Sequence, residues 1–247
     1  MIYVCVVARN QAPTVGLLLW KLRKVLQEFP REYHILVADV GSDDGTAQTL
    51  ETYQRALPMT LLRKGEKGYA AGLDALVRDA LARSDRPKRD SIITLPADFS
   101  ISPAVVPELV KRFESGADLV VAEAEAAASL GMSLVRRWAP WLLKPGLTLP
   151  GVRDLTSGVC LVRLITLKNA LKERADGLLE SEGVSAHAEL LARAGTSARQ
   201  ISTVTVPIRP EAAADASLGS ALALAVDLFR TGRRLRIPAP TATVQRT

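Results

Sequence analysis

The chain has 247 residues, 48% of them apolar and 4% aromatic, with a net charge of +6. That length fills one large α/β domain or two small ones, with a core built mostly from Leu, Val, Ile and Ala. The basic balance suits anionic partners such as nucleotides, phosphates or anionic lipid. No basic stretch is interleaved with aromatic residues, which argues against nucleic acid.

Ile2 to Ala8 is a continuous apolar run, the pattern of a buried parallel strand. Arg9 to Thr14 ends it. A helix is expected from Val15 to Phe29, where Leu18, Leu22, Val25 and Leu26 recur on a helical period. Ile35 to Val37 leads into the turn Asp39-Val40-Gly41-Ser42-Asp43-Asp44-Gly45-Thr46, and a helix is expected from Thr46 to Leu57. Asp39 stands at a strand end, where a carboxylate can accept hydrogen bonds from a base or ribose. Gly41 and Gly45 allow a sharp turn, and Ser42, Asp43 and Thr46 are candidate caps for the helix that follows. Leu57 to Leu62 reads as a third strand. The basic, glycine-containing loop Arg63 to Gly72 precedes a helix ending near Arg83, a place where a diphosphate can be held.

Ser91 to Leu95 is another buried strand and ends in Pro96-Ala97-Asp98. Pro103 opens a helix that Gly116 closes, and Asp118 to Ala122 is a further strand. This alternation predicts an α/β domain with a mainly parallel sheet and helices on both faces. Ser133 to Leu149 combines Trp138 and Trp141 with Leu134, Arg136, Arg137 and Lys144. That mixture fits a membrane interface, with a core helix kinked at Pro140 as the rival. Ile165 to Leu171 and Glu189 to Ala194 read as helices. Leu218 to Phe229 is an alanine-rich helix followed by an arginine-rich end. Residues 237–247 read as a flexible tail.

Cys5 and Cys160 lie in apolar runs and read as buried, reduced thiols. Neither they nor His34 and His187 have metal-ligand spacing. His187, a lone histidine, reads as structural. Glu189 is a supporting carboxylate or a plain helix residue. No apolar run reaches the ~18 residues of a spanning helix, so a cytoplasmic location is expected, free or attached to the inner membrane face.

Several motifs in one order resemble the family 2 glycosyltransferases of the GT-A fold, most of all the dolichol-phosphate mannosyltransferase and polyprenol-phosphate glycosyltransferase group. Val7-Ala8-Arg9-Asn10-Gln11 stands where members carry a Pro-x-x-x-Asn-Glu strand end, with Asn10 kept. The Asp39 to Thr46 turn matches Asp-Asp-Gly-Ser-x-Asp-Gly-Thr at all but one position. Glu66-Lys67-Gly68-Tyr69-Ala70 follows the Asn-x-Gly-Lys-Gly-x-Ala loop. Asp154-Leu155-Thr156-Ser157-Gly158 matches the subgroup's Asp-x-Thr-Ser-Gly fully. The resemblance spans residues 1 to 210.

It implies one GT-A-like domain over residues 1–236, with a nucleotide-sugar half (1–122), an acceptor half (123–210) and a basic amphipathic helix (217–236). Its nucleotide-binding set is Ala8, Arg9, Asn10, Asp39, Gly41, Ser42, Lys67, Gly68 and Ala97. Asp98 would face the donor diphosphate through Mg2+ or Mn2+, and Asp98 and Asp154 are the catalytic candidates. Arg136, Arg137, Ser157 and Arg209 are candidates for an acceptor phosphate. The implied reaction is inverting transfer of a sugar from a nucleoside-diphosphate sugar, with polyprenyl phosphate at a membrane surface as one acceptor.

Three departures qualify that reading. Pro96 replaces the first carboxylate of Asp-x-Asp. Ala122-Glu123-Ala124-Glu125-Ala126 stands where relatives carry Gly-Ser-Arg. Residues 210–217 lack the Arg and Ser-Lys groups expected near phosphates. The alternative is therefore a non-catalytic relative that keeps the fold and binds a nucleotide or partner. A nucleotidyltransferase is disfavoured, because residues 8 to 16 lack the glycine-rich basic loop such enzymes use.

Overall fold

The computed structural model describes residues 1–29, 31–63, 65, 68–125, 130–172, 177–208, 218–240 and 242–245. The expected Lys67 and Arg209 lie outside them. The first half alternates strictly: β1 (Ile2–Ala8), α1 (Ala12–Gln27), β2 (Tyr33–Asp39), α2 (Thr46–Gln54), β3 (Met59–Arg63), α3 (Tyr69–Arg83), β4 (Ser91–Thr94) and α4 (Val106–Glu114). The second half continues with β5 (Leu119–Ala124), α5 (Leu130–Leu143), β6 (Cys160–Arg163), α6 (Leu164–Lys172), α7 (Gly183–Ser197), β7 (Gln200–Val206), α8 (Leu218–Arg234) and β8 (Thr243–Gln245).

The sheet order is β3-β2-β1-β4-β6-β5-β7-β8. Every neighbouring pair is parallel except those made by β6, which runs antiparallel to β4 and β5. The order reverses at β1, which has β2 on one side and β4 on the other. In open α/β sheets the crevice beyond the carboxyl ends of strands at such a reversal is where ligands bind. Register brings the ends together, since Ala8 pairs with Asp39 and Cys5 with Thr94.

Alternate strand residues feed two cores, as parallel strands covered on both faces require. Val4, Val6, Ile35 and Val37 pack with Leu18, Leu22 and Leu26 of α1 and Leu109 of α4. Cys5, Leu36 and Ala38 pack on the other face with Leu73 and Leu76 of α3, Leu143 of α5 and Leu190 of α7. The predicted architecture, a mainly parallel sheet with helices on both faces, is the one the chain adopts.

One expectation changes. Residues 243–245 are not part of a flexible tail, because β8 pairs in parallel with β7, Ile201 opposite Val244. Val244 lies so close over Gly151 that an added Cβ there would approach it to 2.8 Å. The α5 helix leaves both expected readings of residues 133–149, membrane interface and core helix, open. Ala139 and Leu143 are buried, but Leu134, Trp138 and Trp141, spaced i, i+4, i+7, are exposed. α5 packs on α8 at backbone contact, since a Cβ on Gly232 would come within 2.6 Å of the Leu142 carbonyl oxygen.

Candidate active site

The β1–α1 and β2–α2 loops clasp one another. Asn10 N donates to Ser42 Oγ (3.0 Å), Gln11 N to Thr46 Oγ1 (2.8 Å) and Ala12 N to Asp44 Oδ2 (3.0 Å). In return Asp43 N donates to Asn10 Oδ1 at 3.0 Å. Asn10 adopts φ 53°, a left-handed conformation that Asn tolerates and few other residues do. Gly41 and Gly45 take φ 80° and 92°, the turn geometry anticipated for them.

The capping expectation needs correction. Ser42 and Thr46 serve the opposite loop, and it is Asp44 Oδ1 that accepts from Thr46 N (3.0 Å) at the start of α2. The reason is geometric: parallel register sets both strand ends side by side, so side chains of one loop meet N–H groups of the other. The Thr46 hydroxyl and the Ala12 N–H hold the Asp44 carboxyl below the usual range.

Asp39 is buried, and its Oδ1 accepts from Ser42 N (3.1 Å) and Ser42 Oγ (2.6 Å). Thr14 Oγ1 reaches across to the Ala97 carbonyl (2.9 Å), tying α1 to the β4 end. Thr94 joins that end to the 154–158 loop, donating to the Gly158 carbonyl (3.0 Å) and accepting from Cys160 N (3.1 Å).

A cavity of about 620 Å³ opens beyond these strand ends. Arg9, Val40, Tyr69, Ala97 and Asp98 line it from the first half, and Arg136, Ser157, Glu182 and His187 from the second. Of the expected nucleotide set, Arg9, Gly68 and Ala97 are on its wall. Ala8, Asn10, Asp39, Gly41 and Ser42 are not wall residues; they form or adjoin the clasp behind it. Ser157, expected at an acceptor phosphate, lies instead on this cavity.

A second cavity of about 360 Å³ is lined by Glu123, Glu125, Arg136, Arg137, Arg153 and Asp154, with Ser133 and Thr205. Arg136 lines both cavities. The acid that replaces the Gly-Ser-Arg turn thus stands among arginines, and Glu123 Oε1 accepts from Arg153 N at 2.6 Å.

The two expected catalytic carboxylates are in different settings. Asp98 is exposed, and its Oδ1 accepts from Ser100 N (2.8 Å). Asp154 is buried; Oδ1 accepts from Thr156 N and Oγ1 (both 2.7 Å) and Oδ2 from Ala124 N (3.1 Å). It pins the 154–158 loop to the end of β5. No group of three or more His, Cys, Asp or Glu residues able to hold a metal ion exists among the described residues. With Pro96 beside it, Asp98 offers one carboxylate. That donor set fits a divalent ion brought in on substrate phosphates, since Mg2+ often takes one or two protein carboxylates plus phosphates.

Two wall residues carried no motif. Glu182 Oε2 accepts from Ala70 N (3.1 Å) at the start of α3, from a position whose sequence gives no signal. His187 is fully enclosed, and burial lowers its pKa to about 4. Glu189 proves to be a supporting group: it accepts from Glu180 N (3.0 Å), Ser181 N (2.8 Å) and Arg193 Nε (2.7 Å), fixing the loop that carries Glu182. Cys5 and Cys160 are buried free thiols whose pKa values burial raises.

Residues 3–158 match the family described as Glycosyl transferase family 2. An undecaprenyl-phosphate 4-deoxy-4-formamido-L-arabinose transferase of Photorhabdus laumondii is 27% identical over 62% of this chain and 45% of its own length. An uncharacterized glycosyltransferase of Bacillus subtilis is 32% identical over 38% of this chain and 23% of its own. The chain thus spans less than half the length of these relatives. Among solved structures, Mycobacterium tuberculosis glucosyl-3-phosphoglycerate synthase, in complex with Mn2+, UDP-glucose and phosphoglyceric acid, superposes with a TM-score of 0.66. It is 18% identical and is matched over 94% of this chain and 78% of that one. S. aureus TarS with UDP-GlcNAc gives 0.58 at 17% identity over 92% and 66%. At these identities the structural likeness concerns the fold.

Proposed function

We propose that this chain, which belongs to glycosyl transferase family 2, transfers a sugar with inversion from a nucleoside-diphosphate sugar in the large cavity to a polyprenyl phosphate in the small one. The observation that carries this reading is Arg136, whose side chain lines both cavities and so stands where donor and acceptor must meet. The named acceptor of the Photorhabdus relative and the UDP-sugars held by the two structural neighbours support the same pair of substrates.

The chemistry follows from the placement. An acceptor oxygen attacks the anomeric carbon on the face opposite the diphosphate, and the bond from that carbon to the phosphate oxygen breaks. Negative charge grows on the leaving diphosphate, and the Arg136 guanidinium is positioned to offset it. Asp98 would hold a divalent cation, which would supply further neutralisation of that charge. A phosphate acceptor is already anionic, so no strong base is required. Asp154, with both oxygens engaged, acts as a positioning residue that holds the 154–158 loop. Arg137 holds the acceptor phosphate.

The acceptor's lipid tail is accommodated at a membrane surface. Leu134, Trp138 and Trp141 on α5 and Leu222, Val226 and Phe229 on α8 form two exposed stripes on helices packed together. Exposed Arg137, Lys144, Arg230 and Arg233 accompany them. Aromatic, aliphatic and basic residues together suit the headgroup region of an anionic bilayer. No described helix is long and apolar enough to cross a membrane.

The test is incubation of the protein with radiolabelled UDP-glucose or GDP-mannose and vesicles containing undecaprenyl phosphate. Labelled lipid should form, and Arg137→Ala should reduce it. A second reading, a non-catalytic relative, rests on Pro96 in place of a carboxylate. Nucleotide binding without sugar transfer to any acceptor would decide for it.

A further inference from the structure

Several polar side chains around the large cavity already have partners. Asp98 accepts from Ser100 N, Thr156 donates to Asp154, and Glu182 accepts from Ala70 N. His187 and Arg136 differ. His187 is 1% exposed, and neither Nδ1 nor Nε2 has a hydrogen-bond partner among the described residues. Nε and Nη1 of Arg136 are likewise buried without a partner among them. Both side chains line this cavity. Buried polar groups are seldom left unpaired, because each orphan keeps its full desolvation cost.

Burial keeps the imidazole neutral at physiological pH, so it presents one donor and one acceptor. The guanidinium presents donors only. A phosphate satisfies the second but not both nitrogens of the first. A sugar hydroxyl, able both to donate and to accept, satisfies whichever imidazole nitrogen it meets. The location agrees. Arg136 lines both cavities, and the transferred group passes between the donor and acceptor sites proposed for them.

We propose that His187 is a specificity-determining residue that reads hydroxyl groups of the transferred sugar, while Arg136 takes oxygens of the adjoining phosphate. The inference rests on the donor reading above. It selects donors with a hydroxylated sugar, because a deoxy position leaves that imidazole nitrogen orphaned.

The experiment is calorimetric titration of wild-type protein, His187→Phe and His187→Leu with UDP, GDP, UDP-glucose and GDP-mannose, followed by monodeoxy analogues of the sugar nucleotide that binds. Thermal unfolding of each variant accompanies it. Both apolar variants should lose about tenfold in affinity for the sugar nucleotide while affinity for the bare nucleotide stays constant. At least one deoxy analogue should bind wild type about tenfold more weakly than its parent and bind the variants as well as the parent does. His187→Phe should keep or raise the Tm, because it removes unpaired polar atoms without losing a hydrogen bond. Equal sugar-nucleotide affinity in wild type and variants would overturn the proposal. So would a parallel loss for bare nucleotide, or a Tm drop in His187→Phe showing a structural role. Failure of wild type to bind any of the four nucleotides would instead overturn the donor reading, and this inference with it.

Discussion

The clasp behind one wall of the large cavity and the wall opposite it are built on opposite terms. On the β1–β2 side, Asn10, Asp39, Ser42, Asp44 and Thr46 satisfy one another and the backbone of the neighbouring loop. On the α5–α7 side, Arg136 and His187 keep buried polar atoms without partners among the described residues. The clasp is satisfied without a ligand. The opposite wall is not, and the recognition proposed above rests on that. Substitutions should therefore separate the two, with stability lost on one and ligand binding lost on the other.

The largest effect is expected at Arg136. Arg136→Ala should lower transfer about 10²- to 10³-fold, the scale of removing a charge-stabilising donor, and leave the Tm within a degree or two. A Tm loss matching the activity loss would erase the contrast between clasp and wall. Asp154→Ala should do the reverse, removing the acceptor of three hydrogen bonds and costing about 2–4 kcal/mol in denaturant unfolding.

A smaller effect should appear in the pH dependence of stability. Burial lowers the folded-state pKa of His187 to about 4, below its ordinary value of 6.5. Between these values the unfolded chain binds the extra proton, so stability is full above pH 6.5 and falls as pH drops toward 4. The expected contribution is about 1–3 kcal/mol, and it should vanish in His187→Phe when unfolding curves at pH 4.5 and 7 are compared. Asp118 adds a background slope of its own at lower pH. Burial raises its pKa, but the Arg199 N–H and the Arg163 side chain together hold it below the usual range, so its stabilisation is lost as it protonates. The smallest effect is Asn10→Ala, which removes the Asp43 N–H contact and should cost about 1 kcal/mol without changing specificity.

The same contrast marks what could be read from the sequence. The alternation of strands and helices was legible because parallel strands are apolar throughout and the helices keep their period. The GT-A fold and the Asp39 to Thr46 turn followed from that pattern and its motifs. The partners of the turn did not follow: Ser42 and Thr46 look like local caps, and only the side-by-side register of β1 and β2 turns them toward Asn10 and Gln11. β8 was hidden because its three residues carry too little period, and its place depends on the distant Gly151 and β7. His187 was hidden for a further reason. A single histidine among alanines has no motif, and the role proposed for it rests on the lack of partners among the described residues.

The most direct test of a donor site sharing Arg136 with the acceptor cavity is titration of wild type and Arg136→Ala with UDP-glucose and GDP-mannose, with and without Mn2+. One sugar nucleotide should bind wild type, and binding to Arg136→Ala should be at least about tenfold weaker. Binding of neither to wild type, or equal binding to both proteins, would contradict that site.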